Sequence, residues 1–150
     1  MINKLLVAVD GSSQSLKAVD FASAIAASCK AKVIILTVVK VHTAPKQSAE
    51  LRKYAELEHI AGSDLDALKT LAGNLVAHAE KRSREKGAHD IMTKVLEGPV
   101  ARTIVACAEQ NDVDMIVIGS RGLGNIEATL RGGVSHRVEL LAKCPVLTVK

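Results

Sequence analysis

The chain has 150 residues, of which 48% are hydrophobic and 24% are charged, and this composition excludes disorder, collagen-like repeats and a disulfide scaffold. A chain of this length buries about 70% of its unfolded surface in one core, so we expect a single domain over residues 1–150. The net charge of +4 would suit nucleic acid, but Phe21 and Tyr54 are the only aromatic residues, too few for the stacking platforms of single-strand binders, so we expect no nucleic-acid partner.

Short runs rich in β-branched residues alternate with longer segments of helical period. This pattern predicts an α/β fold in which a parallel sheet carries helices on both faces. Five strands are predicted, at residues 4–9, 32–39, 91–96, 115–118 and 145–149. Each is a nearly continuous apolar run, as expected of strands that are buried on both faces.

The first predicted helix follows the cap candidates Ser12 and Ser13. Its core-facing stripe is predicted to contain Ala18, Phe21, Ala22, Ile25 and Cys29. Between the second and third strands, Gly62 is predicted to end one helix, and Ser63 with Asp66 to open another as a capping box. The apolar stripe of that second piece is predicted to contain Leu65, Leu68, Ala72, Leu75 and Ala79.

Pro99 is predicted to start the next helix. Its inward residues are predicted to be Val100, Ile104, Cys107 and Ala108, and its outward residues Arg102 and Glu109. A last helix after Gly132 and Gly133 is predicted to turn Val134, Val138 and Leu141 inward. The final strand, PVLTV, is then predicted to be an apolar edge of the sheet through which two copies pair.

The three cysteines, Cys29, Cys107 and Cys144, lie far apart, with neither Cys-x-x-Cys nor metal-like spacing. This pattern is typical of small buried apolar residues in a reducing compartment. The longest apolar run, residues 33–39, contains Thr37 and is too short to cross a bilayer. The sequence therefore predicts a cytoplasmic protein that has no membrane partner.

Two strand ends carry residues suited to a ligand, and ligands of open parallel sheets bind outside the carboxyl ends of the strands. Asp10, Gly11 and Ser12 follow the first strand, and five glycines lie between positions 119 and 133 after the fourth. Glycines let the backbone approach a ligand closely, and the free amides of a helix N-terminus attract phosphate. These loops predict an anion site if the two strands are neighbours. The alternatives are that the glycines only form turns and that Asp10 also accepts backbone amides of the following turn.

Several standard phosphate sites are excluded. The sequence lacks G-x-x-x-x-G-K-[ST], so it has no P-loop. Gly122 and Gly124 resemble a dinucleotide fingerprint, but Glu127 occupies its third position and the loop follows the fourth strand. The third strand ends in KVLEG, without the Asp that a phosphate-accepting receiver domain would need.

The glycine loop resembles that of the universal stress protein family, whose nucleotide-binding members share G-x-x-G, nine residues, then Gly and Ser or Thr. Gly119, Gly122 and Gly132 fit these spacings. The segments LLVAVDGS, EGPVARTIV, DMIVIGSRG and CPVLTV are also similar to the family in order and spacing. The resemblance implies an adenine nucleotide alpha hydrolase-like fold, with a doubly wound five-stranded sheet of order 3-2-1-4-5. It also implies a homodimer and, in one subclass, bound ATP.

Carried over to this chain, the resemblance places Asp10 near the ribose or Mg²⁺ and the backbone of Val38 and Val39 at the adenine. It assigns the ribose and phosphate side to Gly119 and Gly122, and the terminal phosphates to Gly132 and Gly133. The remaining predicted site residues adjoin these, namely Gly11, Ser12, Ser120, Arg121, Val134 and Ser135. Gly133 departs from the subclass, which has Ser or Thr there. Since a hydrogen bond to a charged group contributes ~1.5 to 3 kcal/mol, this predicts more than tenfold weaker binding.

We therefore expect a cytoplasmic, homodimeric stress-response protein that binds ATP, or AMP or ADP, as a sensor or regulator. It is not expected to be an enzyme, because no clear general base or arginine finger accompanies Asp10 and Arg121. Gly133 leaves open a nucleotide-free dimeric interaction module. A weak phosphate-ester hydrolase at the same cleft is a third reading.

Overall fold

The computed structural model describes residues 1–40, 60–121 and 133–150, and the side chains of all of these except 60–64. The strands are β1 (Lys4–Ala8), β2 (Lys32–Val39), β3 (Ile91–Glu97), β4 (Met115–Gly119) and β5 (Val146–Val149). The helices are α1 (Ser13–Cys29), α2 (Ile60–Glu85), α3 (Val100–Gln110) and α4 (Val134–Leu141). All five predicted strands are confirmed to within one residue at each end.

The strands form one parallel sheet of order β3-β2-β1-β4-β5. Successive side chains of a strand point to opposite faces, so β1 contributes to two cores. Leu5 and Val7 lie on the face that packs against α1 and α2. Leu6 and Ala8 lie on the face that packs against α3 and α4. The sheet is therefore doubly wound, as expected, and β1 is its central strand.

The two outer strands are less buried than predicted. β3 has exposed Met92 and Thr93, and β5 is half-buried over most of its length. Within residues 1–40, 60–121 and 133–150, both strands pair on one side only, so neither is enclosed as fully as β1 or β2. The prediction that β5 is an edge strand is confirmed.

The predicted core face of α1 is wrong at two positions. Phe21 is 54% exposed and Cys29 is also exposed, whereas Ala18 and Ala22 are buried as expected. The buried face instead includes Ser23, whose hydroxyl donates to the Val19 carbonyl at 2.6 Å and shares a 2.7 Å hydrogen bond with Ser83. Ser83 belongs to α2, so the buried face of α1 is the one that faces α2, rotated from the face predicted from the sequence.

The predicted break at Gly62 and Ser63 is also wrong. The backbone of α2 is helical from Ile60 to Glu85, through both residues. Along the described part of this helix Ala72, Val76 and Ala79 are buried, whereas Leu68 is 46% exposed. Packing over a long helical face has overridden the local start and stop signals.

The two C-terminal helices agree better with the sequence. Pro99 caps α3, and Ile104, Cys107 and Ala108 face the core. In α4, Val138 is fully buried, but Leu141 is 48% exposed, contrary to prediction. Of the three cysteines, only Cys107 is buried. Among the described residues, no helix combines the length and apolar character needed to span a membrane.

Candidate functional site

The predicted site depends on β1 and β4 being neighbours, and they are. Their register runs from Leu5 opposite Met115 to Ala8 opposite Ile118. The connection leaving β1 passes to α1 on one face, and α4 covers the other face. The carboxyl ends of β1 and β4 therefore flank a crevice where the chain diverges to opposite faces, which is where open α/β sheets bind ligands.

The loop from β1 to α1 is fixed by its own side chains. The Ser12 amide donates to Asp10 Oδ1 at 2.9 Å, so Asp10 does accept the turn amide that the alternative reading anticipated. Gly11 has a φ of 88°, in the left-handed region that favours glycine. Ser12 caps α1, its hydroxyl accepting from the Ser15 amide at 3.2 Å. Asp10 is exposed, and its carboxylate lies at the rim of the crevice.

Gly119 ends β4 where the first turn of α1 passes closest. A Cβ at this position would lie 2.9 Å from the carbonyl carbon of Gln14 and 2.9 Å from the amide nitrogen of Ser15. Both neighbours are backbone atoms, which cannot move aside like the end of a flexible side chain. Gly119 is therefore required by the packing of α1 on the sheet, independently of any ligand.

The two residues after Gly119 join the loops into one unit. The Ser120 amide donates to the Val149 carbonyl of β5 at 2.7 Å. The Ser120 carbonyl accepts from Ser135 Oγ at 3.3 Å. The Arg121 carbonyl accepts from Ser12 Oγ at 3.3 Å. The peptide units of Ser120 and Arg121 thus contact α4, β5 and Ser12, the N-cap of α1.

Helix α4 begins beside this unit. Its N-cap is Gly133, with φ −58° and ψ 176° and no side-chain hydrogen bond to the helix. No acidic residue lies in the first turn, so the first N–H groups, including those of Val134 and Ser135, have no carboxylate of that turn to bind. Such amides carry partial positive charge and attract anions.

Val38 and Val39 differ in the direction of their backbone groups. The Val9 amide donates to the Leu36 carbonyl at 2.9 Å, so Leu36 directs its backbone groups toward β1. Val38 lies two residues further along the strand, so its backbone N–H and C=O also point toward β1. They lie beyond the last β1–β2 pair, Ala8 with Leu36. The Val39 carbonyl instead accepts from the Gly98 amide at 3.1 Å, on the side of β3.

Three polar or glycine positions at this end of the sheet are not among the site residues predicted from the sequence. Buried Thr37 donates to the Val9 carbonyl at 3.1 Å, and the Ser15 hydroxyl donates to the Ser12 carbonyl at 2.9 Å. Gly98 has a φ of 140°, and a Cβ there would lie 2.7 Å from Thr103 Oγ1. A hydroxyl within an apolar strand, as at Thr37, was the available signal.

Gly122 and Gly132, predicted to contact the ribose and phosphates, lie outside the described residues. Among the residues that are described, no group of three or more His, Cys, Asp or Glu side chains is arranged to hold a metal ion. A metal at Asp10 would therefore need oxygen ligands from elsewhere, such as phosphates and water, which is how Mg²⁺ is commonly bound.

A model of the universal stress protein family matches residues 1–150. The chain belongs to this family. Universal stress protein YxiE of Bacillus subtilis is 34% identical over 150 residues, which cover 100% of both chains. The match over the whole chain confirms the resemblance carried by the four sequence segments.

Solved structures of universal stress proteins share the fold. UspA from Lactobacillus plantarum superimposes with a TM-score of 0.84 at 24% identity, over 99% of this chain and 98% of that one. A universal stress protein in complex with cAMP has a TM-score of 0.74 and 28% identity, over 99% and 96% of the two chains. The predicted adenine nucleotide alpha hydrolase-like fold is thereby confirmed.

Proposed function

We propose that this protein binds an adenine nucleotide in the crevice between the carboxyl ends of β1 and β4. The preferred ligand is ATP with Mg²⁺, with AMP or ADP as related ligands. The observation that carries the proposal is the 3.3 Å bond from Ser12 Oγ to the Arg121 carbonyl. It holds the Asp10 loop beside the β4 loop, so one crevice offers both a carboxylate and a helix N-terminus. A universal stress protein 28% identical to this chain is in complex with cAMP, which supports the ligand class.

The adenine is assigned to the β2 side of the crevice. Val38 directs an N–H donor and a C=O acceptor toward β1 beyond its last paired residue, and an adenine edge also presents one donor beside one acceptor. The Val39 carbonyl accepts from Gly98, so Val38 is the better adenine contact of the two. Hydrophobic cover comes from aliphatic side chains, since the chain has only two aromatic residues.

The phosphates are assigned to the start of α4. The amides of Val134 and Ser135 follow an N-cap glycine without a side-chain cap, and Arg121 adds an exposed cation at the crevice. Gly122 and Gly132 are proposed to continue this phosphate loop. When bound, Mg²⁺ would neutralise phosphate charge, and the Asp10 carboxylate would be its protein ligand.

Occupancy is proposed to regulate a cytoplasmic homodimer in a stress response. The dimer would form through β5, whose outer edge pairs with no strand among the described residues. Leu140 and Leu141, 71% and 48% exposed, lie on α4 next to that strand in sequence. The Ser120 amide binds the Val149 carbonyl, which connects the phosphate loop to the dimer edge. The protein is proposed to bind its nucleotide as a ligand, without turnover.

Two substitutions of Asp10 test the assignment. Asp10→Asn keeps an oxygen that can accept from the Ser12 amide but removes the charge, whereas Asp10→Ala removes both. Because the charge is what would hold Mg²⁺, calorimetric titration should give weaker Mg-ATP binding for both variants. Metal-free AMP should bind Asp10→Asn and the unsubstituted protein equally. Unchanged Mg-ATP affinity in both variants would contradict the role given to Asp10.

One observation favours a second candidate, a nucleotide-free interaction module. Gly133 supplies no hydroxyl at the N-cap of α4, where the family resemblance implies Ser or Thr in the nucleotide-binding subclass. This candidate predicts no ATP binding by the unsubstituted protein and none after Gly133→Ser. Gain of ATP binding by that variant would dispose of it.

A further inference from the structure

A second cleft of about 380 Å³ lies at the end of the molecule opposite the proposed nucleotide site. It opens between the C-terminal ends of α3 and α4, beside the residues that begin β4. Its floor is apolar and deeply buried, formed by Val105, Ala108, Val113 and Ile116, each at most 8% exposed. The volume falls within the range of small-molecule sites.

The rim of the cleft carries an excess of negative charge. Glu109 forms a 3.1 Å ion pair with Lys143 across the mouth. Asp112, also on the rim, is exposed and forms no ion pair with any described Lys or Arg. Helices α3 and α4 both end here, at Gln110 and Leu141, and helix C-termini carry partial negative charge.

Cys144 lines the wall of the cleft, and the pKa of its thiol is raised there. Burial raises the pKa of its thiol, and the carboxylates of Asp114 and Glu109 raise it further, against two backbone hydrogen bonds that lower it. Lys4 and Lys94 bind Asn111 at 2.9 and 3.2 Å, and none of these three residues lines the cleft. The charged side chains that do line it are Glu109, Asp112 and Lys143, two carboxylates and one ammonium above an apolar floor.

We infer that this cleft binds a small organic cation, an ammonium or amidinium head on an apolar body. The body would lie on Val113 and Ile116, and the cationic head would be held by the carboxylate of Asp112. The ligand class follows from charge complementarity and cleft size, and it is independent of the nucleotide proposed for the opposite end of the sheet.

Benzylammonium, benzyl alcohol and benzoate test the inference, because they share one apolar body and differ in charge. Titrations followed by two-dimensional amide NMR should give saturable shifts at Ala108, Val113 and Cys144, with affinity falling from the ammonium to the alcohol to benzoate. Asp112→Asn suits the left-handed backbone here, where φ is 50°, since Asn tolerates that conformation. It should weaken benzylammonium binding about threefold, the scale of one exposed charge pair, and leave benzyl alcohol binding unchanged.

A variant that fills the cleft provides a second test of the inference. Ala142→Leu places a larger side chain on the cleft wall, and binding of both benzylammonium and benzyl alcohol should be lost. Ala77→Leu, on an exposed position of α2, is the matched control and should bind like the unsubstituted protein. Dispersed amide spectra verify that both variants fold. The inference is overturned if benzoate binds as tightly as benzylammonium, if Ala142→Leu still binds, or if no shift saturates up to about 10 mM, a limit corresponding to roughly −3 kcal/mol.

Discussion

Replacing Gly133 by Ser should strengthen ATP binding. The N-cap of α4 has room for this change, since a Cβ built on Gly133 meets no atom of the described residues within 4 Å. Its φ of −58° and ψ of 176° are ordinary for any residue. The serine hydroxyl can therefore be added without strain, beside the amides proposed to bind the phosphates.

The size of the effect follows from the two hydrogen bonds available to that hydroxyl. Donation to a phosphate oxygen would contribute ~1.5 to 3 kcal/mol, or roughly 10- to 150-fold in affinity. Capping the helix itself is a smaller competing effect, since Ser exceeds Gly at an N-cap by only a few tenths of a kcal/mol, on the order of 0.3. A gain in affinity well above tenfold therefore cannot come from capping.

Isothermal titration of each variant with ATP and Mg²⁺ measures the effect, and Gly133→Ala is the control. Alanine adds the Cβ without the hydroxyl and is a poorer N-cap, so it should bind ATP no better than the unsubstituted protein. Thermal unfolding of both variants separates helix stability from affinity. Equal ATP affinities for the Ser and Ala variants would refute the assignment of Gly133 to the phosphates.

Three further predictions concern packing, charge and pH. Gly119→Ala should destabilise the protein by about 1 to 3 kcal/mol, the usual cost of overpacking, because its Cβ would meet backbone 2.9 Å away; an unchanged urea midpoint would argue against this packing role. Arg82→Gln removes a bidentate pair with Asp20 and should cost at most about 1 kcal/mol at neutral pH, since the two side chains are 35% and 26% exposed. The hydrogen bond from Arg82 holds the pKa of Asp20 below its usual value, so this stability is present above a pH of about 4, the unfolded pKa, and is lost as the pH falls through the lower folded pKa. A difference between the two proteins that stays constant from pH 7 to about pH 2 would contradict this linkage.

The sheet is the part of the fold that the sequence specifies most directly. β2 is predicted without error because the apolar run of residues 33–39 lies between Lys32 and Lys40, and the other strands are predicted to within one residue at each end. Helix faces are harder to predict, because burial depends on the neighbouring helix. Ser23 is buried since Ser83 of α2 supplies a partner for its hydroxyl, whereas apolar Phe21 is exposed, and no pattern within α1 reveals either fact.

The candidate site likewise contains residues that the sequence predicts and residues whose role depends on tertiary packing. Asp10, Gly11 and Ser12 could be predicted because they end a strand at the point where the chain diverges. The contribution of Gly119 to packing could not, since it depends on how closely the backbone of Gln14 and Ser15 approaches β4. The choice of Val38 over Val39 depends on which side of β2 each backbone faces, a property set by pairing with β1 and β3.

The most direct test of nucleotide binding uses the unmodified protein. The purified chain is denatured, the released small molecules are separated by chromatography, and the refolded, stripped protein is titrated with ATP and Mg²⁺. We expect either a near-stoichiometric adenine nucleotide in the extract or saturable binding of ATP to the stripped protein. Absence of any extracted nucleotide, together with no ATP binding up to about 1 mM, which corresponds to roughly −4 kcal/mol, would contradict this expectation.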